Sequence, residues 1–172
     1  LSDNTWKIID YIIDNPRSEL KFSINTNMGV PRKLIERLAD KLRLLDGKVR
    51  DVVIYTSAES VGAQAEYSRF GMDWQLFTEN IEYLLEATPP NVSLSFMTTV
   101  NVLSASTLDA FVEYICALRE RHGNRVDRNR INFNIAYLRW LEHQSITLLD
   151  SMQREALERR IEALIRRRSG SD

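Results

Sequence analysis

Residues 91–101 read NVSLSFMTTVN. Side chains on a β-strand alternate between faces, so this stretch sets Val92, Leu94, Phe96 and Val100 against Ser93, Ser95, Met97, Thr99 and Asn101. One face is apolar and the other carries small polar groups. The same split runs through ELKFSINTN at 19–27, with Leu20, Phe22 and Ile24 opposite Lys21, Ser23, Asn25 and Asn27. It recurs in RINFNIAYLRW at 130–140, where Ile131, Phe133, Ile135 and Tyr137 oppose Asn132, Asn134, Ala136 and Leu138. DVVIYTSAE at 51–59 is less clean, setting Val52, Ile54 and Thr56 against Val53, Tyr55, Ser57 and Glu59.

Between these strands lie amphipathic helices, and strand–helix alternation implies crossover connections and a parallel sheet. A helix with Trp6, Ile9, Ile12 and Ile13 at helical spacing precedes the first strand and stops at Asn15-Pro16. The next starts near Pro31, carries Leu34, Leu38, Leu42 and Leu45, and closes at Asp46-Gly47. A third, behind an Asp73 cap, carries Trp74, Phe77, Ile81, Leu84 and Leu85 up to Pro89-Pro90. A fourth starts at Ser106/Asp109 and runs through Phe111, Ile115 and Leu118 to Gly123. The last, about 150–168, places Met152, Ala156, Leu157, Ile161, Leu164 and Ile165 on one face and ends rich in arginine.

A parallel sheet between two helix layers is apolar on both faces, and this one is apolar on one. The expected fold is therefore α/β: a partial (β/α) barrel, a curved parallel sheet of about four strands with helices on its outer face and a polar inner surface left for a ligand. Residues 1–149 form the half-barrel and 150–172 a C-terminal helix and polar tail. A full barrel takes about 250 residues, and the leading helix has no strand before it, so an upstream segment is expected to be missing.

Composition bounds the function. The chain has 172 residues, 44% hydrophobic and 27% charged, which suits one globular domain. Lys and Arg number 23 against 24 Asp and Glu, so no basic field draws nucleic acid or an anionic membrane. No apolar run reaches membrane-span length and no secretory signal opens the chain, so a soluble, cytoplasmic protein is expected. The single cysteine, Cys116, excludes a disulfide framework or a cysteine-held metal within this chain, and it sits on an apolar helix as a small core residue. His143 has no second ligand at fitting spacing and His122, near a helix end, is explained by the helix dipole, so no metal ligand is assigned. The Arg-rich end interleaves with Glu155, Glu158 and Glu162, as on a solvated helix face.

In α/β folds the chemistry gathers at the carboxyl ends of the strands. Thr56, Ser57 and Glu59 lie at one such end, and Thr26-Asn27, Thr99–Asn101 and Arg139 at the others. Each has a plainer reading. Ser57 and Glu59 can terminate a strand, Asn101 can satisfy loop backbone, and Arg139 can serve a structural ion pair.

Four segments, ELKFSINTNMGVP, VIYTSAESVGAQAEYSRFGMDWQLFTENIEYLL, FMTTVNVLSASTLDAFVEYICALRERHG and AYLRWLEHQSITLL, resemble in order and spacing the second half of the barrel of radical S-adenosylmethionine proteins, most closely the twitch domain-containing branch. The resemblance spans about residues 5–149. It implies a position after the family's CxxxCxxC and GGEP segments, both of which this chain lacks. By the same resemblance, Ser57 and Glu59 match positions that meet the ribose or amino-acid part of S-adenosylmethionine. Asn101 matches a strand-end polar position near that ligand, Thr26 and Asn27 line the cavity, and Arg139 holds a carboxylate. S-adenosylmethionine and a 4Fe-4S cluster are expected in a full-length protein acting on an unknown substrate. This chain alone is expected to hold no cluster and to be inert. Its implied partner is the missing N-terminal half of the barrel, and exposed sheet edges favour a homodimer. The alternatives are a non-catalytic α/β scaffold and a sugar- or nucleotide-binding module using the same strand-end groups.

Overall fold

The computed structural model describes residues 1–123, 129–138, 140 and 142–170. In chain order the elements are α1 (Asp3–Asp14), β1 (Arg17–Asn25), α2 (Arg32–Arg43), β2 (Val49–Ser57), α3 (Gly62–Ser68), α4 (Trp74–Ala87), β3 (Val92–Val100), α5 (Leu108–His122), β4 (Ile131–Tyr137) and α6 (Ser151–Ser169). Local chemistry sets several boundaries. The Ser2 hydroxyl accepts from the Thr5 amide at the start of α1, and the Asp73 carboxylate from the Leu76 amide at the start of α4. Gly47 takes φ 70° in the turn after α2. At α6, Asp150 and Gln153 form a reciprocal capping box.

The strands pair in parallel in the order β1-β2-β3-β4. Crossovers of one hand, stepping across the sheet in one direction, put every connecting helix on the same side. That is where they lie. Ile24, Ile54, Leu94 and Ile131 sit in one cross-strand row, and share a buried core with Ile9 of α1, Leu38 of α2, Phe77 of α4 and Phe111 of α5. Each such fully buried aliphatic or aromatic side chain stabilises the fold by roughly 1.5–3 kcal/mol. The opposite face is open. Lys21, Ser23, Asn25 and Met97 are exposed, and Val53, Tyr55, Ser57, Ser93, Ser95 and Thr99 half-buried, with no helix of the described residues over them.

Four differences from the sequence reading stand out. The first two strands run two residues earlier than expected, so Thr26, Asn27 and Glu59 lie in the loops beyond them. The short helix α3 was not expected, because its seven residues start at Gly62 with no side-chain cap and bury only Ala65. Thr56 shares the helix-facing side with Ile54 and is buried there, away from the open face. The apolar stripe of α6 does not form a buried seam: Leu164 is buried, but Met152 and Ile165 are 70% and 60% exposed. This helix is instead fastened to α5 by charge. Arg167 donates to Glu113, Arg168 pairs with Glu113 and Glu120, and Arg160 donates to the Ala105 and Ser106 carbonyls.

The amino ends of the strands form the structural pole. Arg130, just before β4, is buried and spreads its guanidinium over three backbone carbonyls, of Val92, Leu85 and Thr88, and the Thr88 hydroxyl. It closes the end of α4 against β3, with distances of 2.7–3.0 Å. Nothing in the spacing of residues had marked it.

Candidate functional site

At the opposite pole, above the carboxyl ends of β1 and β2, two depressions of about 250 Å³ and 120 Å³ adjoin. They share Asn27, Ser57 and Arg69 as walls. The larger extends down the open sheet face to Asn25, Tyr55 and Met97, and the smaller reaches outward to Gly29, Phe70 and Met72. Register explains the meeting of these groups: Asn25 stands beside Tyr55, and Ser57 beside Met97, all on the open face.

Arg69, at the end of α3, is the cation of this cup. Its Nε donates to Glu59 Oε1 at 3.0 Å and its Nη2 to Glu59 Oε2 at 2.5 Å, a two-point pair that fixes the plane of the guanidinium. Glu59 is buried, with its side chain 5% exposed, whereas that of Arg69 is 33% exposed. The carboxylate thus serves as an anchor for Arg69, which lines both depressions and whose guanidinium makes no further hydrogen bond among the described residues. Sequence reading assigned ligand contact to Glu59 and overlooked Arg69. The ten-residue separation between them gives no local signal.

The loop after β1 forms the second wall. Thr26 is buried and its Oγ1 accepts from the Met28 amide, while exposed Asn27 accepts from the Gly29 amide and faces the cup. Met28 adopts φ 57°, the left-handed region that costs a non-glycine residue about 1 kcal/mol. Asn80 of α4, fully buried, holds that conformation by donating Nδ2 to the carbonyls of Met28 (2.8 Å) and Val30 (2.9 Å). The loop is therefore pinned from beneath.

Of the expected site residues, Asn27 and Ser57 meet in the cup, and Thr26 lines its larger part. Asn101 does not line it. Its Nδ2 donates to the Thr99 carbonyl and its Oδ1 accepts from the Leu103 and Ser104 amides, so its side chain is engaged in the loop after β3. That is the plainer of its two readings. Arg139 lies outside the described residues.

A wider groove, about 630 Å³, runs between α2 and α4 on the outer face and is lined by Arg32, Glu36, Glu79 and Glu86 among others. Next to it Glu82, Glu86 and His122 bring one ligand atom each within 4.8 Å of one another, the arrangement that could hold a metal ion. Glu82 is already committed: it pairs with Arg121 and, at 2.5 Å, with His122. Burial pushes its carboxyl upward, but the hydrogen bonds and charge supplied by Arg121 and His122 outweigh burial and leave it below the usual value. An arginine at that carboxylate opposes a cation there; Glu82, Arg121 and His122 form a hydrogen-bonded charge network on the outer face, and Glu86 stands beside it.

No family model, curated protein or solved structure matches this chain.

Proposed function

We propose that this chain is the second half of a radical S-adenosylmethionine-type barrel, and that the cup above β1 and β2 is part of the wall of its cosubstrate and substrate pocket. The observation that carries the reading is the one-sided sheet: four parallel strands in sequential order, core on one face, polar groups open on the other. Sequential order without reversal is how a barrel wall is wound, whereas a doubly wound sheet reverses and covers both faces. In this reading the Ser57 hydroxyl, the Asn27 side chain and the Tyr55 phenol supply hydrogen bonds to ribose or amino-acid groups, and Arg69 takes a carboxylate. Glu59 acts through Arg69 as a positioning residue.

A 4Fe-4S cluster does not fit this chain's own residues. Cys116 is the single cysteine and lies on α5, away from the cup. Another segment would have to supply the cluster, and radical chemistry is assigned to the whole barrel and not to these residues alone. In isolation, the open edges of β1 and β4 favour pairing with a second copy.

Calorimetric titration with S-adenosylmethionine and with sugar phosphates tests the assignment. Binding of S-adenosylmethionine that weakens about tenfold or more on Ser57→Ala or Glu59→Gln supports it. Binding of sugar phosphates alone would overturn it in favour of a sugar- or nucleotide-binding module.

A further inference from the structure

The smaller depression has an unusual wall. Residues Arg69 to Met72 form a hydrogen-bonded turn, the Met72 amide donating to the Arg69 carbonyl at 3.0 Å. Gly71 stands third in that turn at φ 78°, the region a type II turn needs at this position. The corner places Phe70 entirely in solvent, at 107% of its reference exposure, while Met72 and Trp74 turn inward onto the core. The turn is fixed at both ends. Arg69 is locked by buried Glu59, and the Trp74 amide donates to Glu66 Oε1 at 2.9 Å. Polar residues usually occupy turn corners, yet here a fully exposed ring stands on a pinned backbone, next in sequence to Arg69, whose guanidinium has spare donors.

The space beside that ring is open. A Cβ placed on Gly71 would meet no atom within 4 Å, and one on Gly29 would meet only Asn27 atoms at 4.0 Å. Both glycines line the compartment, so its wall is backbone on those sides and admits a flat group. We propose that this compartment is a subsite for a planar ring, and that the cup takes a ring-bearing anion, its carboxylate or phosphate at Arg69 and its ring against Phe70. The inference rests on the reading of the cup as a ligand pocket and adds the class of molecule it selects. Stacking supplies ring preference, and the fork of Arg69 supplies the charge requirement.

The test compares matched pairs with and without a ring: benzoate against acetate, and phenyl phosphate against inorganic phosphate, each titrated by NMR chemical-shift perturbation. The ring-bearing member of at least one pair binds about tenfold tighter, and the pair that does so tells carboxylate from phosphate. Phe70→Ala brings the two members within about twofold, and Phe70→Trp restores the difference. Phe70 is exposed, so neither change threatens the fold. A ring preference that survives Phe70→Ala, or no binding of any probe at millimolar concentration, overturns the proposal. S-adenosylmethionine is titrated separately: its failure to bind beside an intact ring effect removes the pocket-wall assignment and leaves the ring subsite standing.

Discussion

Single side chains at the two ends of the sheet serve different purposes. Arg130 bridges three carbonyls at the amino end, where loss of its donors leaves those groups buried and unpaired. Arg130→Met is expected to lower unfolding free energy by about 3 kcal/mol in urea titration. Arg130→Lys should recover less than half of that, since a point ammonium cannot reproduce the planar fork. At the carboxyl end, Asn80→Ala should cost about 2 kcal/mol and loosen the loop after β1, seen as faster amide exchange at Gly29 and Val30. Glu82 gives a pH signature. Its carboxyl titrates lower folded than unfolded, so its stabilisation is present above the unfolded value of 4.5 and is lost as pH falls through the folded value. Between pH 7 and pH 3 the wild type should lose more stability than Glu82→Gln, by about 0.5 kcal/mol for a partly exposed network. None of these partners was legible in the sequence. Arg130 meets Leu85 across 45 positions and Asn80 meets Val30 across 50, contacts that no local pattern encodes.

At the level of elements, helices α1, α2, α4 and α5 and the strands followed from periodicity because a face that must be buried repeats at 3.6 or 2 residues. The short helix α3 escaped, since it buries only Ala65. The last helix shows the converse: an apolar stripe was legible, but its docking is made by Arg160, Arg167 and Arg168 with acids and carbonyls of neighbouring elements. Exposed ion pairs are weak and screened by salt. Raising NaCl to about 0.5 M should therefore speed amide exchange in α6 severalfold while leaving α4, whose Phe77 and Ile81 are fully buried, unchanged. Equal protection of the two helices in high salt would show that α6 is held by something other than charge.

For the molecule as a whole, the unpaired edge of β1 is the exposed element. The Thr26 amide donates to the Tyr55 carbonyl, so by alternation the Ser23 amide points away from β2, out of the sheet edge. If a second copy pairs there, light scattering should give a mass rising towards twice 20.0 kDa with concentration, and Ser23→Pro should abolish the rise without unfolding the sheet. A mass independent of concentration would count against edge pairing. The sequence by itself determined an α/β chain with a sheet greasy on one side, because hydrophobic periodicity is a local property of each strand and helix. It also pointed to the strand-end loops, beside which the two depressions of the candidate site lie. Only the tertiary structure decided which groups face that site, because pairing depends on loops that bring distant residues together: Arg69 folded back onto Glu59, Asn101 turned into its own loop, and Phe70 left standing at a rigid corner.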